Sequence, residues 1–265
     1  MVRLFHRWGE RPVDVATESL CHALLLISGR RTEQVLVTGA GFVGARLPEP
    51  TSERFPNANE LDAVTRTAQQ VAEALRLSLP DERPLIVFGV DVYATCHRSD
   101  IERQVGQFAV VLPRDGAARL LPKRFPTPNE EAYLPVPDEA EAPDPSCDTP
   151  AGRAAVFVCH DVNVYSPRGA ATTVYETRAG WRTALQNRVR ALAPALGLHL
   201  AHYVETATSF RQAYNAWAGE FDAPLVGVSG LPADVSTADA TGLAASLLIN
   251  TDSSLVLDLI ELPTE

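Results

Sequence analysis

A cysteine closing a buried strand, a lysine after a hairpin and acids just beyond it are the groups here with the means for covalent chemistry. Residues 154–159 read Ala-Ala-Val-Phe-Val-Cys, a branched apolar run that ends on Cys159. A side chain at such an end enters a cleft while the sheet fixes its backbone. A thiol is a poor nucleophile until deprotonated; a nearby carboxylate takes its proton, and a lysine holds the thiolate and a developing oxyanion. Lys123 follows Ala-Ala-Arg-Leu-Leu-Pro and precedes Glu130 and Glu131. The competing reading is a core thiol and a solvated lysine.

The elements that must position these groups alternate. Residues 14–28 carry Leu20, Ala23, Leu24 and Ile27 at helical spacing, and Gly29 suits the exit. Residues 34–38 (QVLVT) read as a buried strand, followed by a Pro-rich loop over 47–59. Residues 60–77 form a helix with Leu61, Val64, Ala68, Val71, Ala72 and Leu75 on one face. Residues 84–93 (PLIVFGVDVY) are a second buried strand. Residues 107–112 and 117–121 flank an Asp115-Gly116 turn, a hairpin signature. Residues 126–150 are dense in Pro and acid, and read as a long surface loop. After the Cys159 strand, helices are expected over 180–196 and 209–221, and strands over 198–202, 223–229, 244–250 and 254–262. No repeat or linker divides the chain, so one α/β domain spanning 1–265 is expected, with mixed sheets covered by helices.

Strand, helix, buried strand, hairpin, Lys, Glu, then a strand ending in Cys: this order resembles the nitrilase (carbon–nitrogen hydrolase) superfamily. Asp115-Gly116 matches its hairpin turn. Lys123, Phe125-Pro126 and Glu131 match its lysine segment, and residues 156–161 its cysteine strand. The closing strands match at Ser246-Leu247-Leu248-Ile249 and 256–262. The resemblance implies a four-layered α-β-β-α sandwich and a homo-oligomer. It also implies attack of Cys159 on the carbon of a small amide or nitrile, with a thioester intermediate. Lys123 would stabilise the oxyanion, and Glu131, or Glu130 one position earlier, would orient Lys123 and water. His160, Asp161, His202 and Arg168 are candidate substrate-binding residues, Arg168 for a substrate carboxylate.

One position departs from the family pattern. Aligning Val35-Leu36-Val37-Thr38-Gly39-Ala40 puts Ala40 where the catalytic Glu belongs. Either Glu49, in the Pro48-Glu49 pair, supplies the base, or the base is missing and the chain is a non-catalytic binding or assembly subunit.

Composition bounds the partners. Net charge is −10, which disfavours phosphate backbones, so no nucleic acid is expected. The 4 Cys are scattered without a CxxC pair, so no metal site is expected; Cys21 and Cys96 read as buried thiols of a reduced compartment. No long apolar run follows Arg3 and Arg7, so the expectation is a cytoplasmic protein away from membranes. Gly39-Ala40-Gly41-Phe42-Val43-Gly44 matches a dinucleotide loop, but Pro48 and Pro50 arrive where its helix is needed. Those glycines read instead as a tight turn with close backbone packing, and no cofactor is expected.

Overall fold

The computed structural model describes residues 1–7, 12–27, 35–51, 57–95, 102–138, 140–171, 176–202, 210–231 and 255–259. In chain order the elements are β1 (Val2–Arg7), α1 (Val13–Ile27), β2 (Val35–Thr38), β3 (Val43–Arg46), α2 (Ala58–Ser78), β4 (Leu85–Thr95), β5 (Glu102–Leu112), β6 (Arg119–Pro122), β7 (Ser146–Thr149) and β8 (Gly152–Val158). A 3-10 helix (Cys159–Tyr165) follows, then α3 (Pro167–Ala171), α4 (Glu176–Leu192), β9 (Leu196–Ala201), α5 (Arg211–Phe221), β10 (Leu225–Leu231) and β11 (Leu255–Leu259).

The strands run β6-β5-β4-β2-β1-β10-β9-β8-β7, with β3 added to β4 and β11 to β1. β11 lies antiparallel along β1 from Val2–Leu259 to His6–Leu255, whereas β10 meets β1 only at His6 and Arg7. The path therefore behaves as two sheets joined at one corner. β1, β2 and β4 are mutually parallel, as are β8, β9 and β10.

Strand alternation sorts the apolar residues into three clusters. Leu36, Ile86, Phe88 and Val110 pack on Leu20 and Leu24 of α1 and Val64, Ala68 and Leu75 of α2. Their neighbours Val35, Val37, Val87 and Val111 pack with Val156, Val158, Leu198 and Leu200 of the second sheet. Ala155 and Phe157, on that sheet's other face, pack on Leu185 and Val189 of α4 and Trp217 of α5. Two sheets with helices packed on each make the mixed α/β architecture that the sequence predicts. Around Phe157 the rings of Tyr165 and Trp217 meet it edge-on at centroid distances of 6.0 and 5.4 Å.

Several expectations change. β1 and β3 are absent from the sequence reading; β3 occupies the place that a dinucleotide helix would need, which removes that reading. The loop over 126–150 contains β7, paired antiparallel with β8, and buries Leu134 and Ala142. The helix expected over 180–196 starts earlier and stops at Leu192, because Pro194 cannot continue it and Ala193 takes φ +44°. Leu196 then opens β9. The strand expected over 244–250 lies outside the described residues. Among the described residues, no helix is long and apolar enough to cross a membrane.

Two glycines sit at opposite extremes of packing. A Cβ on Gly89 of β4 would stand 2.5 Å from both Ala40 Cα and Gly39 O, so this strand lets the 39–41 turn lie directly upon it. Gly219, inside α5, has nothing within 4 Å of its Cβ position. Gly89→Ala is expected to cost about 1–3 kcal/mol by displacing backbone. Gly219→Ala is expected to gain about 0.5–1 kcal/mol by restricting the unfolded chain and favouring helix. Urea denaturation of both variants beside the parent checks the opposite signs.

Candidate active site

β8 carries Cys159 to the point where strand gives way to 3-10 helix. Cys159 adopts φ +50°, a left-handed conformation that an L-residue holds only when its surroundings fix it. Two groups do so. His199 Nε2 lies 2.7 Å from the Cys159 carbonyl. A carbonyl only accepts, so Nε2 bears the proton and Nδ1 accepts from the Tyr214 hydroxyl at 2.9 Å. Burial lowers the His199 pKa to about 4, which keeps this linking imidazole neutral. Gly227 makes room for the arrangement, since a Cβ there would stand 2.1 Å from the Tyr214 hydroxyl.

Asp161 provides the second hold. Its Oδ1 accepts from the backbone N–H groups of Arg124 and Phe125 at 2.9 and 2.7 Å, and its Oδ2 from that of Val158 at 3.1 Å. This carboxylate ties the lysine segment to the cysteine strand. Burial pushes its pKa up to about 6, against the pull of Lys123 and of the three amide donors. The sequence assigned Asp161 to substrate; its oxygens are instead engaged by backbone amides, and it is a buried structural anchor.

Lys123 is completely buried, and its ammonium donates to Gln107 Oε1 at 2.8 Å and to Glu130 Oε1 and Oε2 at 2.9 and 2.7 Å. Burial works against its charge, but Cys159, Glu130 and Asp161 outweigh that and hold its pKa above the usual lysine value. Glu130 also accepts from the Thr127 N–H at 2.6 Å and from Gln107 at 3.0 Å. Its partner on Lys123 and these donors overcome burial and bring its pKa down to about 2.

The supporting acid is thus Glu130 rather than Glu131. Residues 127–134 form a helical turn, with Glu130 and Glu131 N–H both bonded to Thr127 O. Successive side chains in such a turn point in different directions, so only one of the two acids can face Lys123. Glu131 pairs with Arg178, which also donates to Pro126 O at 2.8 Å and stacks 4.4 Å over the Phe125 ring. Thr127-Pro128-Asn129-Glu130 carries the readable signal: an N-cap type residue, a proline at the first helical position, and an acid that reaches back to the cap N–H.

On the other side of Cys159 stands a pair of which the sequence reading named His202, as a substrate-binding candidate, and not Asp91. His202, at the end of β9, places Nε2 2.8 Å from Oδ2 of Asp91 on β4, and both side chains are buried. His202 also lies near Cys159, because β8 and β9 pair at Val158 and Leu200 just before the two residues. Burial disfavours the imidazolium, but Asp91 and Cys159 prevail and push its pKa up to about 10. Gln104 brings its amide 3.1 Å from the same nitrogen and accepts from Gln107 at 2.7 Å, linking this pair to Lys123. An acid in the middle of the apolar run LIVFGVDVY is the signal that marks Asp91.

The thiol lies between these charges. Burial raises its pKa, and Lys123, His202 and His160 reverse that, so Cys159 falls well below the usual thiol value. His160 is half-buried, with Nδ1 3.4 Å from Sγ. Ala40 is buried in the same apolar cluster as Cys159 and offers no base. Glu49 is exposed on a segment whose Leu47 and Thr51 bond the β4 backbone at Tyr93 and Thr95, and no described contact joins it to Cys159 or Lys123. Arg168 is exposed on α3, likewise without a described contact to the site. Of the other thiols, Cys21 is half-buried and Cys147 is buried, its pKa pushed up to about 12; Cys96 lies outside the described residues. Among the described residues, no group of three His, Cys, Asp or Glu side chains is placed to hold a metal ion.

Neither a protein-family model nor a curated protein sequence matches the chain significantly. Solved structures share its architecture. The NitN amidase from Nesterenkonia sp. AN1 aligns with a TM-score of 0.51 at 15% identity, over 88% of this chain and 80% of that one. A glutamine-dependent NAD+ synthetase from Acinetobacter baumannii, in complex with ADP, aligns with a TM-score of 0.51 at 10% identity, over 87% of this chain and 38% of that one. A carbon–nitrogen hydrolase from Helicobacter pylori G27 covers 87% of this chain and 74% of its own at 12% identity, with a TM-score of 0.47. With its two sheets, its flanking helices and this likeness at low identity, the chain has the fold of the nitrilase (carbon–nitrogen hydrolase) superfamily.

Proposed function

We propose that this protein is a cysteine-dependent carbon–nitrogen hydrolase that opens a small amide or nitrile through a thioester on Cys159. The observation that carries this reading is the wholly buried Lys123 ammonium, clamped by Glu130, beside a thiol that it draws toward the thiolate. A structural lysine needs no thiolate, and a structural thiol needs no lysine. Thiolate attack forms the carbon–sulfur bond and moves the carbonyl pair onto oxygen. Lys123 opposes that negative charge in a site where Coulomb interactions are weakly screened. Its three N–H groups are directed at Gln107 and Glu130. The two-point bond to Glu130 leaves one N–H able to turn to the oxyanion while the other keeps the carboxylate.

The test is intact mass and product assay of the full chain against a panel of small aliphatic amides and nitriles. An acyl adduct at Cys159 that decays to free acid is expected. Lys123→Ala is expected to lower turnover by about 10²–10³, as loss of an oxyanion partner does elsewhere. Even alkylation of all accessible thiols, with no turnover of any amide or nitrile, would overturn the reading.

The two adjacent acids separate cleanly. Glu130→Gln removes the counter-charge of a buried lysine, so both stability and turnover are expected to fall, stability by about 3–5 kcal/mol. Glu131→Gln weakens the Arg178 contact, so a lower melting temperature with turnover nearer to the parent's is expected. Thermal melts and steady-state rates on both variants check this ordering.

A further inference from the structure

The reading above leaves the thiol without the carboxylate that its fold relatives' pattern implies at position 40, and the geometry fills the gap from elsewhere. We infer that His202, oriented by Asp91, is the proton acceptor and donor for Cys159, so that the site works as a Cys–His–Asp triad with Lys123 at the oxyanion. This rests on the hydrolase reading and names the group that completes it.

Four observations carry it. β8 and β9 pair Val158 with Leu200, so Cys159 and His202 leave neighbouring strand ends, and His202 Nε2 meets Asp91 Oδ2 at 2.8 Å. Asp91 is buried, its Oδ1 has no hydrogen-bond partner among the described residues, and its Oδ2 accepts from the neutral Tyr93 hydroxyl at 3.3 Å, so the one described cationic partner of its charge is His202. The turn over 39–41 is shaped around the pair. A Cβ on Gly41, itself at φ +62°, would stand 2.5 Å from Asp91 Oδ2 and 3.0 Å from His202 Cδ2. Ala40 N donates to Ala201 O at 3.0 Å, stitching that turn to the residue before His202. Gly41, which has no side chain, is thus the position against which the histidine and aspartate rest.

The proton inventory balances. The Cys159 thiol proton passes to the His202 imidazole, giving a thiolate and an imidazolium paired with Asp91. Thiolate attack makes the tetrahedral adduct, and its collapse breaks the carbon–nitrogen bond as the imidazolium delivers its proton to the departing nitrogen. Neutral His202 then takes a proton from water as the oxygen attacks the thioester carbon. Collapse releases the carboxylic acid and restores the thiolate–imidazolium pair. His202 is a catalytic residue in this scheme, and Asp91 is a positioning residue.

The charged and titratable groups around this pair and its thiol are Tyr93 of β4, whose hydroxyl donates to Asp91 Oδ2 at 3.3 Å, Lys123 and His160 beside Cys159, and His199 of β9. Of these only Tyr93 bonds Asp91 in a described contact, and Tyr93 is neutral. Replacement of His202 is therefore expected to raise the pH midpoint of Cys159 alkylation even with Lys123 in place.

The experiment follows alkylation of Cys159 by iodoacetamide against pH, read by peptide mass, alongside amide turnover, for the full chain and its His202→Gln and Asp91→Asn variants. Far-ultraviolet circular dichroism confirms folding. The parent is expected to alkylate at a constant rate from neutral into mildly acidic solution. His202→Gln is expected to move that midpoint upward and to lower turnover by about 10²–10⁴. Asp91→Asn is expected to move the midpoint in the same direction by less, and to narrow the alkaline limb of the turnover profile. Unchanged alkylation and turnover in folded His202→Gln would overturn the triad while leaving the hydrolase reading intact. A shifted midpoint in a protein whose parent turns over no amide would uphold the thiol-activating pair and sink the hydrolase reading. If His202→Gln does not fold, a parent thiol that titrates at its ordinary value overturns the triad, and a depressed one that Asp91→Asn raises supports it.

Discussion

A lysine ammonium buried away from the protein surface is the constraint on which the rest of the site depends. Removing such an ion from water costs several kcal/mol unless opposite charge and hydrogen bonds replace the lost solvent. Glu130 and Gln107 satisfy every N–H of Lys123, and the helical turn over 127–134 exists to present Glu130. Gln107 in turn engages Gln104, which reaches His202. A single buried charge therefore organises a network that crosses from the hairpin of β5 and β6 to the end of β9. Cys159 sits where this network meets the second sheet, with positive groups on both sides.

Backbone geometry supplies the other half of the arrangement. Cys159 is held in a left-handed conformation by its own carbonyl, through His199 and Tyr214, and by Asp161, which bonds the amides on either side of the gap. Hydrogen bonds to neutral groups and amides set the position, while charges set the protonation. These tasks fall to different residues: His199 is kept neutral by burial, and His202, three residues later, is kept charged by Asp91. Two histidines on one strand end thus take opposite roles because one faces a hydroxyl and a carbonyl, and the other a carboxylate.

Much of the fold was legible in the sequence because long amphipathic and branched runs have one good solution. α1, α2, β4 and β8 fall close to their expected spans, since their periodicities leave no second face to bury. β1 and β3 escaped because each is short and is stabilised by neighbours remote in sequence, which no local pattern reports. β7 escaped because proline and acid around it read as loop, although four residues of it pair with β8. In the site, Cys159 and Lys123 were legible from their places after a strand and a hairpin. Glu130 and Glu131 were not separable by type, and only the turn geometry chooses between them. Asp91 and Gln107 were visible as polar residues inside apolar runs, yet nothing local says which charge each one meets.

Under the proposed triad, an alanine at position 40 fits the charge balance around Lys123. A thiol beside a carboxylate base carries one negative charge in total. A thiolate beside an imidazolium and its aspartate carries the same total. Exchanging one arrangement for the other therefore keeps the net charge beside Lys123 and Glu130 the same. What differs is local: space for an imidazole and a carboxylate at Gly41, which has no side chain, and a strand, β4, whose Gly89 lets the 39–41 turn lie directly upon it. A Cβ at position 41 would stand 2.5 Å from Asp91 Oδ2, so a side chain there and the present Asp91 rotamer do not fit together. Under the proposed triad, the bare turn at Gly41 and the Asp91–His202 pair are two parts of one arrangement.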